Sequence, residues 1–197
     1  MDSAVVEDYL KAIWAHTEWQ PRPMTSGELA ARLGLAPSSV SEMLKKLVAQ
    51  GLVEHEPYGA IHLTAAGRSA ALRMLRRHRL IETWLVERFG YGWDEVHDEA
   101  EVLEHAVSDR LLEAMDRQLG HPRHDPHGDP IPPADGEPPT PQGRPLAEAG
   151  AGVVIRIRDH DPAQLRELAA RGVGIGSRVS AAELGEHLTS AVWVRLD

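Results

Sequence analysis

Ten consecutive residues, Val96 to His105, read VHDEAEVLEH and hold six side chains able to bind a metal: His97, Asp98, Glu99, Glu101, Glu104 and His105. On a helix, at about 100° per residue, His97, Glu101, Glu104 and His105 fall within roughly a quarter of the circumference. Glu101, Glu104 and His105 stand at i, i+3 and i+4. Their heads can converge on one point, close to the Glu-x-x-His arrangement of helix-borne metal sites. Unpaired and facing inward they would repel one another, and a divalent cation resolves that conflict. The plain alternative is a solvated acidic helix, but basic partners are scarce: Arg110 is the nearest after His105. A second pair, His78 and Glu82, has i, i+4 spacing further upstream. With no cysteine in the chain, the ligands are carboxylate oxygens and imidazole nitrogens. Oxygen-rich sites suit Mn(II), and mixed sites admit Fe, Co, Ni and Zn. A further group, His121, His124, Asp125, His127, Asp129 and His160, lies in or near a proline-rich stretch, where exposed histidines ordinarily have no ligand role.

The elements that must position these groups follow from periodicity. Asp2 or Ser3 can cap a first helix, along which Val6, Tyr9, Leu10, Ile13, Trp14 and Thr17 form one stripe. A second helix begins near Thr25, where T-S-G-E resembles a capping box, and ends at Gly34. A third starts at Pro37, carries Val40, Leu44, Leu47 and Val48 inward, and ends at Gly51. Two short strands then flank Pro57-Tyr58-Gly59. Two short helices followed by a hairpin describe a winged helix-turn-helix. Its reading helix presents Ser38, Ser39, Ser41, Glu42, Lys45 and Lys46. Thr25, Ser26 and Pro37 complete the expected DNA-facing set, with Arg22 and Arg32 as further phosphate contacts. The hairpin tip carries no basic residue, so phosphate binding falls to the helix termini and lysines.

A long helix is expected from about Thr64 to Phe89. Another starts near Asp94 and carries the VHDEAEVLEH stretch, and one more runs from about Ser108 to Gly120. Nine of the fourteen prolines lie between His121 and Pro145, which reads as a linker. GVVIRIR, SRVSAA and AVWVRL are strands of a small β-rich module, with a short helix from Pro162 to Arg171 opened by Asp161. The expected class is mainly α: a winged helix-turn-helix over 1–70, a helical metal-binding domain over 71–120, the linker over 121–150, and a small β-rich domain over 151–197.

Composition bounds the function. The 197 residues carry a formal charge of -9 and are 42% hydrophobic, ordinary for a globular protein. No apolar run reaches the roughly 18 residues of a membrane span, and no secretion signal opens the chain, so the cytoplasm is the expected compartment. Charge is uneven: nine Lys/Arg against four Asp/Glu from Arg22 to Leu80, then three Arg against eleven acidic residues from Ile81 to Gly120. A basic block beside an acidic one points to an anion-binding module joined to a cation-binding one.

EDYLKAIW, SGELAARLGLAPSSVSEMLKKL, GLVEHEPYGAIHLTAAG, RRHRLIE, VHDEAEVLEH and DPHGDPIP occur in order over Met1 to about Asp135. In this the chain resembles the diphtheria-toxin-repressor family of metal-dependent repressors, its manganese-responsive branch in particular. The resemblance implies that the helical domain over 71–120 also dimerises and that the domain over 151–197 is SH3-like. It implies a principal metal site of Asp8, Glu101, Glu104 and His105. The iron-responsive branch has Met and Cys at the first two positions. Lys11 stands where short manganese-branch members place a glutamate, which argues against their closely paired two-manganese site. The resemblance also implies an ancillary site of His78, Glu82 and His97, completed from the C-terminal domain by Asp161 and Gln164. The function implied is a homodimeric, Mn(II)-activated repressor that binds a near-palindromic operator and controls manganese homeostasis genes, with Fe(II) the alternative ion. The competing classes are a metal-dependent hydrolase, which lacks any separate nucleophile or base constellation here, and a small-molecule sensor on the same winged helix.

Overall fold

The computed structural model describes residues 3–19, 22–56, 59–135, 138–140 and 143–196. They form two compact units, the first built from the chain up to Arg76 with a return around residues 132–135, the second from Arg77–Ile131 and from the chain beyond 137.

In the first unit, α1 (Ser3–Trp19), α2 (Ser26–Leu33) and α3 (Pro37–Ala49) precede a hairpin of β1 (Val53–His55) and β2 (Ile61–Leu63). The helix boundaries have local causes. Thr25 and Glu28 form the reciprocal capping box that opens α2, and Gly34, at φ 64°, closes it in the left-handed conformation. Pro37 sits in the first turn of α3. Val53 pairs with Leu63 and His55 with Ile61, and the Ile61 N–H donates to the Met24 carbonyl at 3.0 Å. The core joins Tyr9, Leu10, Ile13, Leu29, Val40, Leu44 and Leu47 with Val53 and Ile61. The helical members of this core lie on the expected stripes, but of the stripe residues Thr17 and Val48 are exposed. Two expectations, the Asp2 cap and the Pro57-Tyr58 hairpin tip, lie outside the described residues.

Helix α4 (Ala65–Phe89) runs through both units. In the second, it is followed by α5 (Val96–Leu103) and α6 (Asp109–Gln118). Ser108 caps α6 by accepting from the Leu111 N–H. Leu80, Ile81, Leu85, Val96, Ala100, Val107, Leu112 and Met115 close over Ile131. The stretch read as a linker departs from expectation here. Asp125, His127, Asp129 and Ile131 are buried, because this segment makes its own bridge, His124 to Pro130, and lends Ile131 to the helical core. Proline excluded helix and central strand, but not a packed turn.

The chain continues through β3 (Arg144–Pro145), α7 (Leu146–Ala149), β4 (Ala151–Ile157), α8 (Pro162–Ala170), β5 (Arg178–Ser180), α9 (Ala181–Leu184), α10 (Glu186–Thr189) and β6 (Val192–Arg195). The strands form one antiparallel sheet in the order β3-β6-β4-β5. Leu146, Val154, Ile157, Leu165, Leu168, Val192 and Val194 make its core, with Trp93 packed against it. The architecture is thus mainly α, with a winged helix-turn-helix, a helical domain and a small β-rich domain.

Candidate metal centre and nucleic-acid interface

Adjoining ligand clusters lie in the second unit. His78 and Glu82 stand one turn apart on α4, His97 is in the first turn of α5, and Asp159 comes from the loop between β4 and α8. Glu82 Oε1 lies 3.0 Å from His78 Nε2 and 3.3 Å from His97 Nδ1. The two ring nitrogens are 3.1 Å apart, and Asp159 Oδ2 is 3.4 Å from His97 Nδ1. Metal bonds of roughly 2.0–2.2 Å set neighbouring ligand atoms roughly 2.8–3.6 Å apart, whether octahedral or tetrahedral. All four contacts fall in that window, and the donor set of two imidazoles and two carboxylates suits a divalent first-row ion.

His78 uses its other face as well. Its Nδ1 is 2.6 Å from Glu104 Oε2, a carboxylate–imidazole contact of the kind that fixes tautomer and ring orientation behind a metal. Around it, Glu101 Oε1 lies 4.0 Å from His78 Nδ1 and 3.7 Å from His97 Nε2. His105 Nε2 lies 3.5 Å from Glu104 Oε1. Glu104 and His105 come just after the last residue of α5, so one unbroken helix does not carry the whole stretch. The Arg77 guanidinium holds the turn: Nε donates to the Glu104 carbonyl at 2.8 Å, and Nη2 and Nη1 reach the Val107 carbonyl and the Asp109 carboxylate. Asp8 is half-buried on α1 of the first unit.

Electrostatics follow from burial. Burial raises the pKa of Glu82, but His78, His97 and His127 more than offset it and hold the carboxyl ionised well below its usual range. Asp159 is likewise lowered against its desolvation, chiefly by His160 and His97. Burial disfavours the charged form of His97, yet the hydrogen bond to Glu82 and the Asp159 charge raise its pKa.

Asp161 and Gln164 are engaged elsewhere. The Asp161 carboxylate caps α8, accepting from Ala163 N and Gln164 N at 2.9 and 3.2 Å. The Gln164 amide donates to the His187 carbonyl at 3.3 Å. The loop after β4 brings Asp159, two residues earlier, beside His97. Sequence reasoning missed it because a short, irregular loop fixes no facing direction. The run Asp159-His160-Asp161 was its only signal. His160 packs beside His97 with ring centroids 5.3 Å apart, and its Nδ1 lies 3.2 Å from Asp159 Oδ1.

In the first unit, Pro37, Ser38, Ser39, Ser41, Glu42, Lys45 and Lys46 are exposed on α3. No side chain caps the first turn of this helix, which keeps its amides oriented toward an incoming anion. Glu42 pairs with Lys46 at 2.8 Å, and the Ser41 hydroxyl donates to the Pro37 carbonyl. Thr25 is exposed and Ser26 half-buried, but the Thr25 hydroxyl is committed to its capping box. Arg22 is paired with Glu28. Among the described residues, no helix is long and apolar enough to cross a membrane.

A DNA-reading winged helix and a buried N/O ligand cluster define a metal-responsive DNA-binding protein, and comparison with known proteins agrees. Residues 1–61 match the N-terminal DNA-binding domain of the iron-dependent repressors, and residues 64–133 their metal-binding and dimerisation domain. The iron-dependent repressor IdeR of Mycobacterium tuberculosis is 31% identical over 182 residues, spanning 92% of this chain and 72% of its own. A manganese-dependent transcriptional repressor in complex with manganese superposes with a TM-score of 0.90 at 46% identity, covering 98% of this chain and all of its own. Zinc-bound ScaR superposes with a TM-score of 0.83 at 30% identity, covering 98% and 99%. The chain belongs to the diphtheria-toxin-repressor family: it is a metal-dependent transcriptional repressor, not an enzyme.

Proposed function

We propose that the chain is a Mn(II)-activated repressor that binds a near-palindromic operator as a homodimer and controls genes of manganese homeostasis. The observation that carries this is the ligand chemistry: carboxylates and imidazoles converge in the second unit, with no cysteine anywhere in the chain. That set discriminates against soft-ion sites and admits Mn(II). The manganese-dependent repressor at 46% identity supports the choice. IdeR keeps Fe(II) as the competitor to measure beside it.

By family position, Asp8, Glu101, Glu104 and His105 would hold the principal ion. His78, Glu82 and His97 would hold the ancillary one, with Asp159 in the place expected for Asp161 and Gln164. The bound ion supplies positive charge that relieves carboxylate repulsion. Asp8 belongs to the DNA-reading half and the other principal ligands to the helical half, so holding one ion in common favours the arrangement that presents two α3 helices to successive major grooves, roughly 34 Å apart or a multiple. Affinity without the ion falls with the competent population. Ser38, Ser39 and Ser41 allow close approach to DNA, and Lys45 and Lys46 supply phosphate contacts.

The test is operator binding by gel shift with Mn(II), with Fe(II) under anaerobic conditions, and with chelator. The expected result is binding at least tenfold tighter with Mn(II) than with chelator. Asp8→Ala is expected to lose that response while keeping a native circular-dichroism spectrum. Equal affinity with and without metal defeats the reading, and a response to Fe(II) alone reassigns the ion.

A further inference from the structure

Glu82 has two carboxylate oxygens, and the cluster described above engages only one. Oε1 meets His78 and His97, whereas Oε2 is buried without a hydrogen-bond partner. Facing it is a second buried atom in the same condition, His127 Nδ1, at 3.9 Å. Both side chains are fully buried at 0% exposure, and Asp125 completes a three-residue group whose ligand atoms lie within 4.8 Å of one another. We propose that Glu82, Asp125 and His127 hold a further divalent cation, with the Glu82 carboxylate shared between it and the ion of the His78–His97–Asp159 cluster.

The chemistry of the gap points to a cation larger than a proton. His127 Nε2 is 2.7 Å from the Trp93 carbonyl, which can only accept, so Nε2 carries hydrogen and donates. In the neutral ring that leaves a lone pair on Nδ1 aimed at a carboxylate oxygen. A separation of 3.9 Å is too long for a hydrogen bond. It is wider than the roughly 2.8–3.6 Å of neighbouring ligands and short of the roughly 4.2 Å of ligands on opposite sides of an ion with bonds of about 2.1 Å, so the two atoms can share an ion at a wide angle. An imidazole that gives its far N–H to a backbone carbonyl and turns its near nitrogen inward has the arrangement of a metal-ligating histidine.

The surrounding loop is built to hold that pose. Asp125 Oδ1 accepts from the backbone N–H of His127 and of Asp129, both at 2.9 Å, leaving Oδ2 as the outward oxygen. The Ile157 N–H donates to the His127 carbonyl at 2.9 Å. Gly128 takes φ 90°, and a Cβ there would stand 2.0 Å from the Ile155 carbonyl, so β4 lies directly against the loop. The Trp93 ring stacks on His127 at 6.2 Å and 13°. Nearby positive charge is directed mainly to Asp129, which accepts from Arg156 Nε at 2.8 Å and lies 3.6 Å from Arg79. Arg79 approaches Asp125 no closer than 3.7 Å.

The inference rests on the proposed function only through Glu82. The full-length chain is stripped of metal, reloaded with Mn(II) alone, dialysed, and assayed for bound manganese and for anomalous scattering at the manganese edge. Two peaks are expected beside Glu82, one bonded to His78 and His97 and the other to His127 Nδ1. His127→Asn is expected to remove the second peak and to lower the content by about one Mn(II) per chain. A peak at His78–His97 with none at His127, or an unchanged content in the variant, overturns this inference and leaves the proposed function standing. No peak at either position in the wild type overturns this inference together with the ancillary His78–Glu82–His97 assignment, and the operator-binding test decides the repressor reading separately. Should His127→Asn fail to fold, the wild-type map decides, with Asp125→Asn as the second variant.

Discussion

Single side chains carry much of the balance here. Glu82 lies within 3.9 Å of three histidines, and its ionised form depends on them. Glu82→Gln keeps the shape and removes the buried charge that the three imidazoles face. Metal-free protein is expected to lose roughly 3 kcal/mol or more of stability, read as a lower urea midpoint. Glu28 shows the same logic at an exposed site. The Arg22 guanidinium, then the backbone N–H and hydroxyl of Thr25, lower its carboxyl from 4.5 to about 2. A depressed carboxylate contributes stability above its ordinary value and loses that contribution as pH falls through the folded one. The window is therefore 4.5 down to about 2. Arg22→Ala is expected to move the Glu28 titration up toward 4.5, followed by carboxyl NMR shifts.

At the scale of the element, loops decide more than helices do. The segment DPHGDPIP looks unstructured by composition, yet it is fixed by its own Asp125 turn, by Gly128 and by its hydrogen bond to β4. Gly128→Ala meets both a left-handed backbone and a carbonyl with no room to spare. It is expected to destabilise the second unit by more than about 1 kcal/mol. A lowered thermal midpoint, with the α2–α3 amide NMR signals unshifted, checks it. In contrast, the starts of α2, α3 and α6 and the end of α2 were readable from a few adjacent residues. Thr25, Glu28, Gly34, Pro37 and Ser108 act within one turn of their own position.

At the scale of the whole molecule, the question is which apolar surface remains for a second copy. Of the larger apolar residues on α4, α5, α6 and the turn between α5 and α6, Leu85 and Val107 are used inside the chain's own core, and Trp84 is half-buried. Val102, Phe89 and Leu111 stay exposed, Val102 at 71%. A two-fold contact needs such a patch on each partner. Val102→Glu is expected to shift the protein from dimer toward monomer in light scattering, with helix content unchanged. A dimer as stable as the wild type would exclude this face.

The sequence by itself determined what depends on neighbours along the chain: the helix stripes, the caps, the winged-helix order, and the i, i+4 pair His78–Glu82 with the acidic run that follows. Periodicity turns each of these into a direction in space without knowledge of the rest. It could not say that Asp159, and not Asp161 or Gln164, stands beside His97, or that His127 points at the second oxygen of Glu82. Nor could it say that Leu85 and Val107 would be spent on the interior. Those facts were decided by tertiary structure, because residues separated by dozens of positions meet through loops of no regular period. Only the closing of the sheet and the buried turn against α4 and α5 fixes which of several nearby carboxylates and imidazoles face one another.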